Sequence, residues 1–383
     1  MPAPIVSRRD AVKLLVASWV VPAAFSACGR VTSGTTRPAP SGVPHLPRVI
    51  VSPERVIRTV VGLRPFRRPG FRLQADRLDE KTVIHNYGHG GGGMSLSWGS
   101  ADLAARLALD TPHRRAAVLG CGVIGLTTAR LLQDRGFEVT IYARDVPPNT
   151  TSNIAGAQCS PTTVFDRDRH TPEFDAQFVA ASRFAFRYFQ NLIGPRYGVW
   201  WRTNYFLSDQ PAPSPPPPGT PPGEDELLAD LLHRVPVPVG EHPFGQLRVS
   251  RLMTMHIEPA VFLAAILADF RLAGGKTVIR EFTDLRAVAA LDELLIVNCT
   301  GLGARALFGD EELIPVKGQL TVLLPQPEID YLTIGPGNDY MMPRQDGIVL
   351  GGTFQRDVWT LEPDSVESER ILREHQQLFS SMT

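Results

Sequence analysis

A glycine-rich turn in the first third of the sequence has the residue types and spacing that bind a phosphate group. The segment 120–125, Gly-Cys-Gly-Val-Ile-Gly, fits the pattern GxGxxG. The first glycine permits a tight turn, the second lets the backbone approach a pyrophosphate, and the third lets helix and strand pack closely. A helix that starts there offers free N–H groups and a partial positive charge to the phosphates. The turn predicts a dinucleotide site but does not choose between NAD and FAD.

The residues that would bind the ribose are less regular. The strand after the turn ends in Tyr142-Ala143-Arg144-Asp145, so Arg144 comes before the first carboxylate. A carboxylate directly after this strand would bind the ribose hydroxyls, but Asp145 comes one residue later. Arg144 could instead contact an adenosine phosphate or stack on adenine, so both residues are candidate cofactor ligands.

The turn needs a strand–turn–helix–strand unit to hold it. An apolar strand at 116–119 leads into it, helical spacing runs over 123–133 and ends at Arg135-Gly136, and the next strand covers 139–142. Further strands are predicted at 276–282, 294–299, 318–324 and 347–352, and further helices at about 173–193, 258–273 and 365–379. Strands that alternate with helices predict an α/β protein.

Several separated segments resemble the D-amino-acid oxidase family of FAD-dependent enzymes. Residues 149–157 (Asn-Thr-Thr-Ser-Asn-Ile-Ala-Gly-Ala) resemble its flavin loop, 297–301 resemble the strand that passes the adenine, and 340–344 and 351–355 resemble its substrate-domain sheet. The resemblance covers nearly the whole chain after residue 49. It implies FAD as the cofactor and a Rossmann-like FAD-binding domain with an interleaved substrate domain built on a mixed or antiparallel sheet.

Two motifs of that family stand in an unexpected place. Residues 61–69 resemble its carboxylate-binding segment, and 83–93 resemble its C-terminal flavin loop. In the family both follow the Gly-Gly-x-Phe-Gln strand near the end of the chain, whereas here they precede the dinucleotide turn. This order predicts a circular permutation, with a new connection from Leu109 to Arg115, because permutation at exposed sites preserves a core. An error in the assembled gene sequence is the alternative.

The resemblance assigns roles at the substrate end of the site. Arg64 matches an arginine whose planar fork binds the substrate carboxylate bidentately, and Tyr340 matches a tyrosine whose hydroxyl meets the same carboxylate. The Gly91 carbonyl would accept a hydrogen bond from the substrate amine. A second family tyrosine is matched by Pro336, which leaves the pocket lid and the substrate range open. His89 is predicted to form a structural hydrogen bond rather than to act as a base.

The same resemblance implies which residues hold the cofactor. They are Gly120, Gly122, Val123, Ile124, Gly125, Arg144, Asp145, Thr150, Thr151, Ser152, Gly156, Ala157, Gly88, Gly90, Gly91, Gly92, Gly93, Met94, Ser95, Thr300 and Gly301. The helix after Gly93 would direct its positive end to the pyrimidine carbonyl of the flavin and stabilise the reduced form. Hydride transfer from Cα to flavin N5 depends mainly on positioning, so no general base is assigned.

The family implies oxidative deamination, in which a D-amino acid, oxygen and water give a 2-oxo acid, ammonia and hydrogen peroxide. D-aspartate oxidase is a neighbouring function, for which Arg344 is a candidate second cation, and a glycine or secondary-amine oxidase is another. Two further hypotheses remain: a dehydrogenase that uses a membrane electron acceptor, and an exported FAD-binding protein without turnover. A homodimer is left open.

The composition is that of a globular protein of about two domains. Of 383 residues, 43% are hydrophobic and 20% charged. Lys plus Arg (39) equals Asp plus Glu (39), which does not favour a nucleic-acid partner. The four cysteines, Cys28, Cys121, Cys159 and Cys299, lack metal-ligand spacing, so no metal site or disulfide framework is predicted. No apolar run of about 20 residues follows residue 30, which excludes a polytopic membrane protein.

The N-terminus resembles a twin-arginine export signal. Ser7-Arg8-Arg9-Asp10 precedes an apolar run from Leu14 to Val21, and small residues lead to Cys28. The segment 25–28 also resembles a lipoprotein cleavage site, which would attach the protein to a membrane through a lipidated Cys28. An amphipathic helix is the alternative. We expect an exported protein, located in the periplasm, on the cell surface or outside the cell.

Composition shifts and motifs together predict the division of the chain. The segments are a signal (1–28), a linker (29–48), a substrate-domain segment with Arg64 (49–70), an FAD-binding part (71–165), a mostly substrate-domain part (166–255) with a proline-rich loop (211–225), a second FAD-binding part (256–305), and a substrate-domain part with the last helix (306–383).

Overall fold

The structure is a computed structural model that describes residues 45–212 and 214–383. The predicted export signal, Cys28 and most of the predicted linker lie outside the described residues, as does Pro213 of the proline-rich loop. In the described part of the chain, no helix is long and apolar enough to cross a membrane.

Strands and helices alternate along most of the chain between residues 81 and 323, whereas the first three strands and the last five follow one another without an α-helix between them. The strands are β1 (Val56–Arg67), β2 (Arg72–Leu78), β3 (Lys81–Tyr87), β4 (Arg115–Leu119), β5 (Glu138–Ala143), β6 (Val199–Ser208), β7 (Val235–Val237), β8 (Arg248–Ile257), β9 (Lys276–Ile279), β10 (Leu295–Asn298), β11 (Leu313–Leu323), β12 (Leu332–Ile334), β13 (Tyr340–Arg344), β14 (Gly347–Gly351) and β15 (Gln355–Arg356). The helices are α1 (Gly93–Leu109), α2 (Val123–Asp134), α3 (Pro172–Gln190), α4 (Glu224–Leu227), α5 (Pro259–Leu272), α6 (Leu285–Ala289), α7 (Gly303–Phe308) and α8 (Ser365–Ser380).

One sheet has the order β2-β3-β10-β4-β5-β9, with every pair from β3 to β9 parallel and β2 antiparallel to β3. Its inner strands are short and apolar because both faces are covered. Val118 and Ile141 pack in a core with α1, α2 and α5, while Ala117 and Leu119 pack with α6 and α7 on the other face. This sheet forms the expected Rossmann-like half.

The second sheet has the order β1-β11-β14-β13-β12-β6-β8-β7, and β15 also pairs with β11. It is antiparallel apart from the parallel pair of β12 and β6. Helix α8 covers one face, where Ile371 and Phe379 pack against Ile348 and Leu350. The opposite face contributes to the cavity described below. The two sheets confirm the predicted α/β fold class with a mixed second sheet.

Residues before the dinucleotide turn complete both sheets. β1 forms an edge of the second sheet along nearly the full length of β11, and β3 lies between β2 and β10 in the first. Helix α1 follows β3 and packs against α2 and α3. The short segment 110–114 then joins α1 to β4.

The beginning and the end of the described chain are in contact. The Arg48 guanidinium donates to the Met382 carbonyl, and the Tyr331 hydroxyl donates to the Pro47 carbonyl at 2.7 Å. Val49 packs in the same core as Met382. Residue 49 therefore lies close to the end of α8.

Two predicted strand bounds are wrong. The strand predicted at 276–282 ends at Ile279, because its neighbour β5 ends at Ala143 and offers only one further bond, from the Arg280 N–H to the Ala143 carbonyl at 2.9 Å. The strand predicted at 318–324 is longer, from Leu313 to Leu323, because β1 pairs with it along its length.

Candidate functional site

A cavity of about 1200 Å³ lies at the carboxyl ends of the parallel strands. Its lining includes the residue that follows each of these five strands, namely Gly88, Gly120, Arg144, Arg280 and Cys299. In open parallel sheets ligands bind at this edge. The lining continues from the first sheet to β1, β11 and β13 of the second.

The dinucleotide turn has the close approaches that the glycine pattern predicts. Gly120 has φ +106°, and a Cβ there would lie 2.5 Å from the Cys299 carbonyl oxygen. Gly125 does not line the cavity; a Cβ on it would lie 2.9 Å from the Gly120 carbonyl carbon, so it serves helix–strand packing. The Val123 N–H donates to the Ser152 hydroxyl at 3.0 Å, which joins the turn to the predicted flavin loop.

The end of the cavity next to strands β5 and β9 carries charged side chains. Of these, Arg144 and Asp145 were predicted from the sequence and Arg280 was not. Arg144 is paired with Asp145 at 2.7 Å and with Glu281 at 3.2 Å, so its charge is compensated. Arg280 and Phe282 also line the cavity, with the guanidinium carbon 4.7 Å from the ring centre. They were missed because the sequence pattern extended strand β9 over them.

The glycine loop after β3 lies against the segment that follows the flavin loop. The Gly91 N–H donates to the Thr163 carbonyl at 3.1 Å, and a Cβ on Gly91 would lie 2.7 Å from the Thr162 carbonyl oxygen. Gly88, Gly90, Gly91, Gly93 and Met94 line the cavity.

Two predicted cofactor ligands of this loop do not line the cavity. Gly92 faces Val164 and Leu96 in the core, and the buried Ser95 hydroxyl donates to the Gly92 carbonyl at 3.1 Å. Both face the core because the 3₁₀ turn at Gly90–Gly92 winds directly into α1.

His89 lines the cavity but does not form the predicted hydrogen bond at Nε2. That nitrogen has no partner among the described residues, and the ring stacks on Phe71 with centroids 4.7 Å apart. Burial lowers the pKa of His89 to about 3. The ring is therefore neutral at ordinary pH, and its structural role is stacking.

Arg64 on β1 reaches into the substrate end of the cavity because its side chain lies over a glycine of β11, two residues beyond its cross-strand partner Val316. A Cβ on Gly318 would lie 2.7 Å from the guanidinium carbon and from both terminal nitrogens of Arg64. Nη1 donates to the Thr353 carbonyl at 3.2 Å. The guanidinium thus lies flat on the β11 backbone.

Tyr340 on β13 occupies a similar position over a second glycine. A Cβ on Gly351 would lie 2.6 Å from the Tyr340 hydroxyl oxygen, and a Cβ on Gly156 would lie 3.3 Å from its ring. Gly318 and Gly351 stand on the neighbouring strands β11 and β14. Together they form a floor for the two predicted carboxylate-binding side chains, a role that sequence reasoning did not assign.

Arg344 is not a second cation of the cavity. Its Nε and Nη2 donate to Asp346 at 2.7 and 2.6 Å, and Nη1 donates to the Ala155 carbonyl at 3.3 Å. It is not among the described residues that line the cavity. Its charge is neutralised two residues away, so the candidate role in binding a second carboxylate is wrong.

The predicted site residues therefore converge from both sheets. The lining includes Arg64, Tyr340, Gly91, Gly120, Gly122, Val123, Ile124, Arg144, Asp145, Thr150, Thr151, Ser152, Gly156, Ala157, Gly88, Gly90, Gly93, Met94, Thr300 and Gly301. The residues that do not line it are Gly92, Ser95 and Gly125.

Comparison with known proteins gives the family. The family model for FAD-dependent oxidoreductases named DAO matches residues 115–382. The chain belongs to this family. It is 31% identical over 264 residues to a D-amino-acid oxidase of Rubrobacter xylanophilus, which covers 68% of this chain and 75% of that protein. A human D-aspartate oxidase is 30% identical over 272 residues, covering 67% of this chain and 74% of its own length.

A solved member of the same fold is glycine oxidase from Geobacillus kaustophilus. It has a TM-score of 0.52 at 17% identity and covers 70% of this chain and 78% of its own. This likeness shows a shared fold. The protein is thus an FAD-dependent oxidoreductase of the DAO family.

FAD is the cofactor of this family, and the described residues fit it. Drug-sized ligands occupy pockets of about 300–1,000 Å³, so the cavity here has room for a larger ligand. It runs without interruption from the Gly120 turn to Arg64. At Gly120 and Gly91 a Cβ would collide with neighbouring backbone, so a side chain at either position would disturb the cavity wall.

Proposed function

We propose that this enzyme is an oxidase that deaminates D-amino acids to 2-oxo acids and ammonia and produces hydrogen peroxide. The observation that carries the proposal is the placement of Arg64 and Tyr340 over two glycines of the second sheet, in the cavity that also contains the dinucleotide turn. The names of the bacterial and human relatives support a D-amino acid as the substrate.

Arg64, Tyr340 and Gly91 would hold the substrate. The Arg64 guanidinium is planar, always charged and suited to a bidentate pair with a carboxylate. The Tyr340 hydroxyl donates to the same carboxylate, and the Gly91 carbonyl accepts from the amine. With carboxylate and amine fixed, two positions remain on Cα and one of them faces the cofactor. The hydrogen takes that position in one enantiomer and the side chain takes it in the other, so only one enantiomer presents its hydrogen to the cofactor. When bound, FAD supplies the hydride acceptor at N5.

The arrangement does not require a strong base. Burial holds the pKa of the neighbouring His89 at about 3, so its ring is neutral under assay conditions. Positioning and exclusion of water then carry the reaction, as is usual where a cofactor supplies the chemistry.

Replacing Arg64 tests the proposed carboxylate site. Arg64→Ala removes two charge-assisted hydrogen bonds worth about 1.5–3 kcal/mol each, so KM for D-alanine is expected to rise by about 100-fold or more. Arg68→Ala on the same segment is the control, because Arg68 does not line the cavity. Steady-state kinetics on the holoprotein measure both; an unchanged KM for Arg64→Ala removes Arg64 from this role.

We propose oxygen as the electron acceptor. Oxygen uptake with D-alanine and no added acceptor, together with peroxide release, is expected. If activity requires an added quinone or dye, the enzyme is a dehydrogenase instead.

We also propose that the chain is a circular permutant of the family. The family match begins at residue 115, yet β1 and β3, which precede it, pair with β11 and β10 inside the match. The contact of Arg48 with Met382 supports a connection between these points in the ancestral order. Termini that lie close together permit such a rearrangement.

Reversing the rearrangement tests this proposal. A chain that starts at Thr111, continues to Thr383 and is joined by a short linker to residues 45–110 is expected to bind FAD and turn over D-alanine like the original. As a control, new ends inside β11, at Thr321, should abolish folding because they cut a buried strand. Failure of the first chain to bind FAD contradicts the permutation.

Export is a further proposal, based on the Arg8-Arg9 pair and the apolar run of residues 14–21. Replacing both arginines with lysine is expected to retain the protein in the cytoplasm, as measured by cell fractionation. Cys28→Ser is expected to release the exported protein from membranes if Cys28 is lipidated.

A further inference from the structure

Helix α8 carries a polar network behind the substrate end of the cavity. Its Arg370 donates from Nη1 to both Asp339 carboxylate oxygens, at 2.8 and 3.1 Å, and from Nη2 to the Gly352 carbonyl at 2.9 Å. The Arg370 Nε donates to Glu367 at 2.9 Å. All these contacts are made on the face of the sheet opposite the cavity.

Both acceptors that Arg370 binds outside its own helix stand one residue before a group of the site. Asp339 precedes Tyr340 at the start of β13, and Gly352 precedes Thr353, whose carbonyl accepts the hydrogen bond from Arg64. One guanidinium therefore links the backbone beside Tyr340 to the backbone beside the partner of Arg64.

The surrounding contacts make this link rigid. The Gly335 N–H donates to the Asp339 carbonyl at 2.6 Å, and His375 of α8 has Nε2 at 3.1 Å from the Tyr340 carbonyl. The Thr353 hydroxyl accepts from the Gln319 N–H at 2.5 Å. Asp339 and His375 are buried, and a buried carboxylate that loses its partner is strongly destabilised.

We infer that Arg370 is a positioning residue that sets the distance between Arg64 and Tyr340 so that both reach one substrate carboxylate. The inference rests on the proposed function, because it needs those two side chains to share a ligand. Its physical basis is that a hydrogen bond weakens steeply as its distance and angle depart from the optimum, so displaced side chains bind the carboxylate less tightly. Arg370 itself lies behind the sheet and does not line the cavity.

The test compares variants of Arg370 in the full-length holoprotein. Arg370→Met removes the link, Arg370→Lys keeps the ion pair with Asp339 but cannot also span to Gly352, and Arg373→Met is the control. Arg373 stands on the same helix, is exposed and pairs with the neighbouring Glu374. The measurements are the Kd of benzoate by flavin absorbance, the KM and kcat for D-alanine, and the FAD content.

For Arg370→Met, the Kd of benzoate and the KM of D-alanine are expected to rise about tenfold or more, whereas kcat changes little. Arg370→Lys should fall between it and the parent, and Arg373→Met should match the parent. If Arg370→Met does not fold, Asp339→Asn removes the charge while keeping an acceptor oxygen, and it is expected to raise both constants in the same direction.

Unchanged constants in the folded variants would overturn the inference, even if their melting temperature falls, because they would make the network structural only. The failure of the proposed function is distinguishable. In that case the parent holoprotein itself would neither bind benzoate nor oxidise D-alanine, and both proposals would fall together.

Discussion

At the scale of single residues, the substrate end of the cavity depends on two glycines, because they leave room for larger neighbouring side chains. Arg64 and Tyr340 were found from their motifs, but the places they occupy exist because Gly318 and Gly351 have no Cβ. Gly318 is more than 250 positions from Arg64 in the sequence, so only the pairing of β1 with β11 shows that the two meet. Sequence reasoning could not assign these glycines because it had no register between the strands.

A methyl group at Gly351 tests this floor. Gly351→Ala is expected to displace the Tyr340 ring, because the added carbon would lie 2.6 Å from its hydroxyl oxygen. The KM for D-alanine should rise about tenfold, since one hydrogen bond to a charged group is worth about 1.5–3 kcal/mol. The measurement is steady-state kinetics at equal FAD content.

Gly335→Ala is the matched control, since a Cβ there meets its neighbours at ordinary distances, 3.5 Å and beyond, and alanine keeps the N–H that donates to the Asp339 carbonyl. Equal KM values for the two variants would show that Tyr340 does not depend on Gly351.

At the scale of elements, the sequence pattern located helices α2, α3, α5 and α8 and the parallel strands β4, β5, β9 and β10. It did not locate helix α1 or the strands β1, β2, β3, β6 and β8. The segment of β1 was recognised only by its family motif, because its burial alternates irregularly along an edge. The predicted strand over 276–282 failed at Arg280, where a charged residue leaves the sheet to line the cavity. At the edge of this cavity, a strand ends where its next residue lines the cavity, even though the apolar sequence pattern continues.

The segment 357–364, after β15, forms part of the cavity wall. Trp359 and Leu361 line the cavity although they are 53% and 60% exposed. The segment is fixed behind the sheet, where Lys317 donates to the Glu362 carbonyl at 2.7 Å and Gln319 donates to the Asp364 carbonyl at 2.8 Å. It supplies apolar surface to the cavity through Trp359 and Leu361.

Trp359→Ala is expected to lower kcat/KM for D-phenylalanine about tenfold, because a bulky side chain loses an apolar contact. D-alanine should be affected far less, since it does not reach the wall. The measurement is the ratio of the two kcat/KM values, with Leu272→Ala as a control that removes an exposed leucine outside the cavity. A parallel fall for both substrates would contradict the role of Trp359.

At the scale of the whole molecule, buried histidines make the stability of the folded state depend on pH. Burial lowers the pKa of His89 and His256 to about 3, and burial with the nearby Arg72 lowers that of His85 to about 4. In the unfolded chain these groups have a pKa of about 6.5. Below that pH the unfolded state binds more protons than the folded state, so stability falls as the pH falls.

Holoprotein stability is therefore expected to decrease between about pH 6.5 and pH 4.5, by up to about 1.4 kcal/mol per pH unit for each of these histidines. Urea unfolding at a series of pH values measures it. His256→Gln, which removes one such group, should give a shallower decrease. A flat profile over this window would show that the three rings are not buried as described.

The fold as a whole joins segments from both sides of the dinucleotide turn. Arg64 and the Gly88–Gly93 loop come from before residue 115, and the turn, Tyr340 and both floor glycines come from after it. The family resemblance was sufficient to predict this convergence. The contact between Arg48 and Met382, which brings the two ends of the described chain together, could be found only from the structure.

The most direct test of the account is reduction of the bound flavin without oxygen. Purified holoprotein is mixed anaerobically with D- or L-enantiomers of alanine and phenylalanine, and the yellow absorbance is followed. Bleaching is expected with the D-enantiomers only, followed by recovery of the yellow absorbance and peroxide release when oxygen is admitted. Bleaching by the L- but not the D-enantiomers, or by neither, would contradict the proposed function.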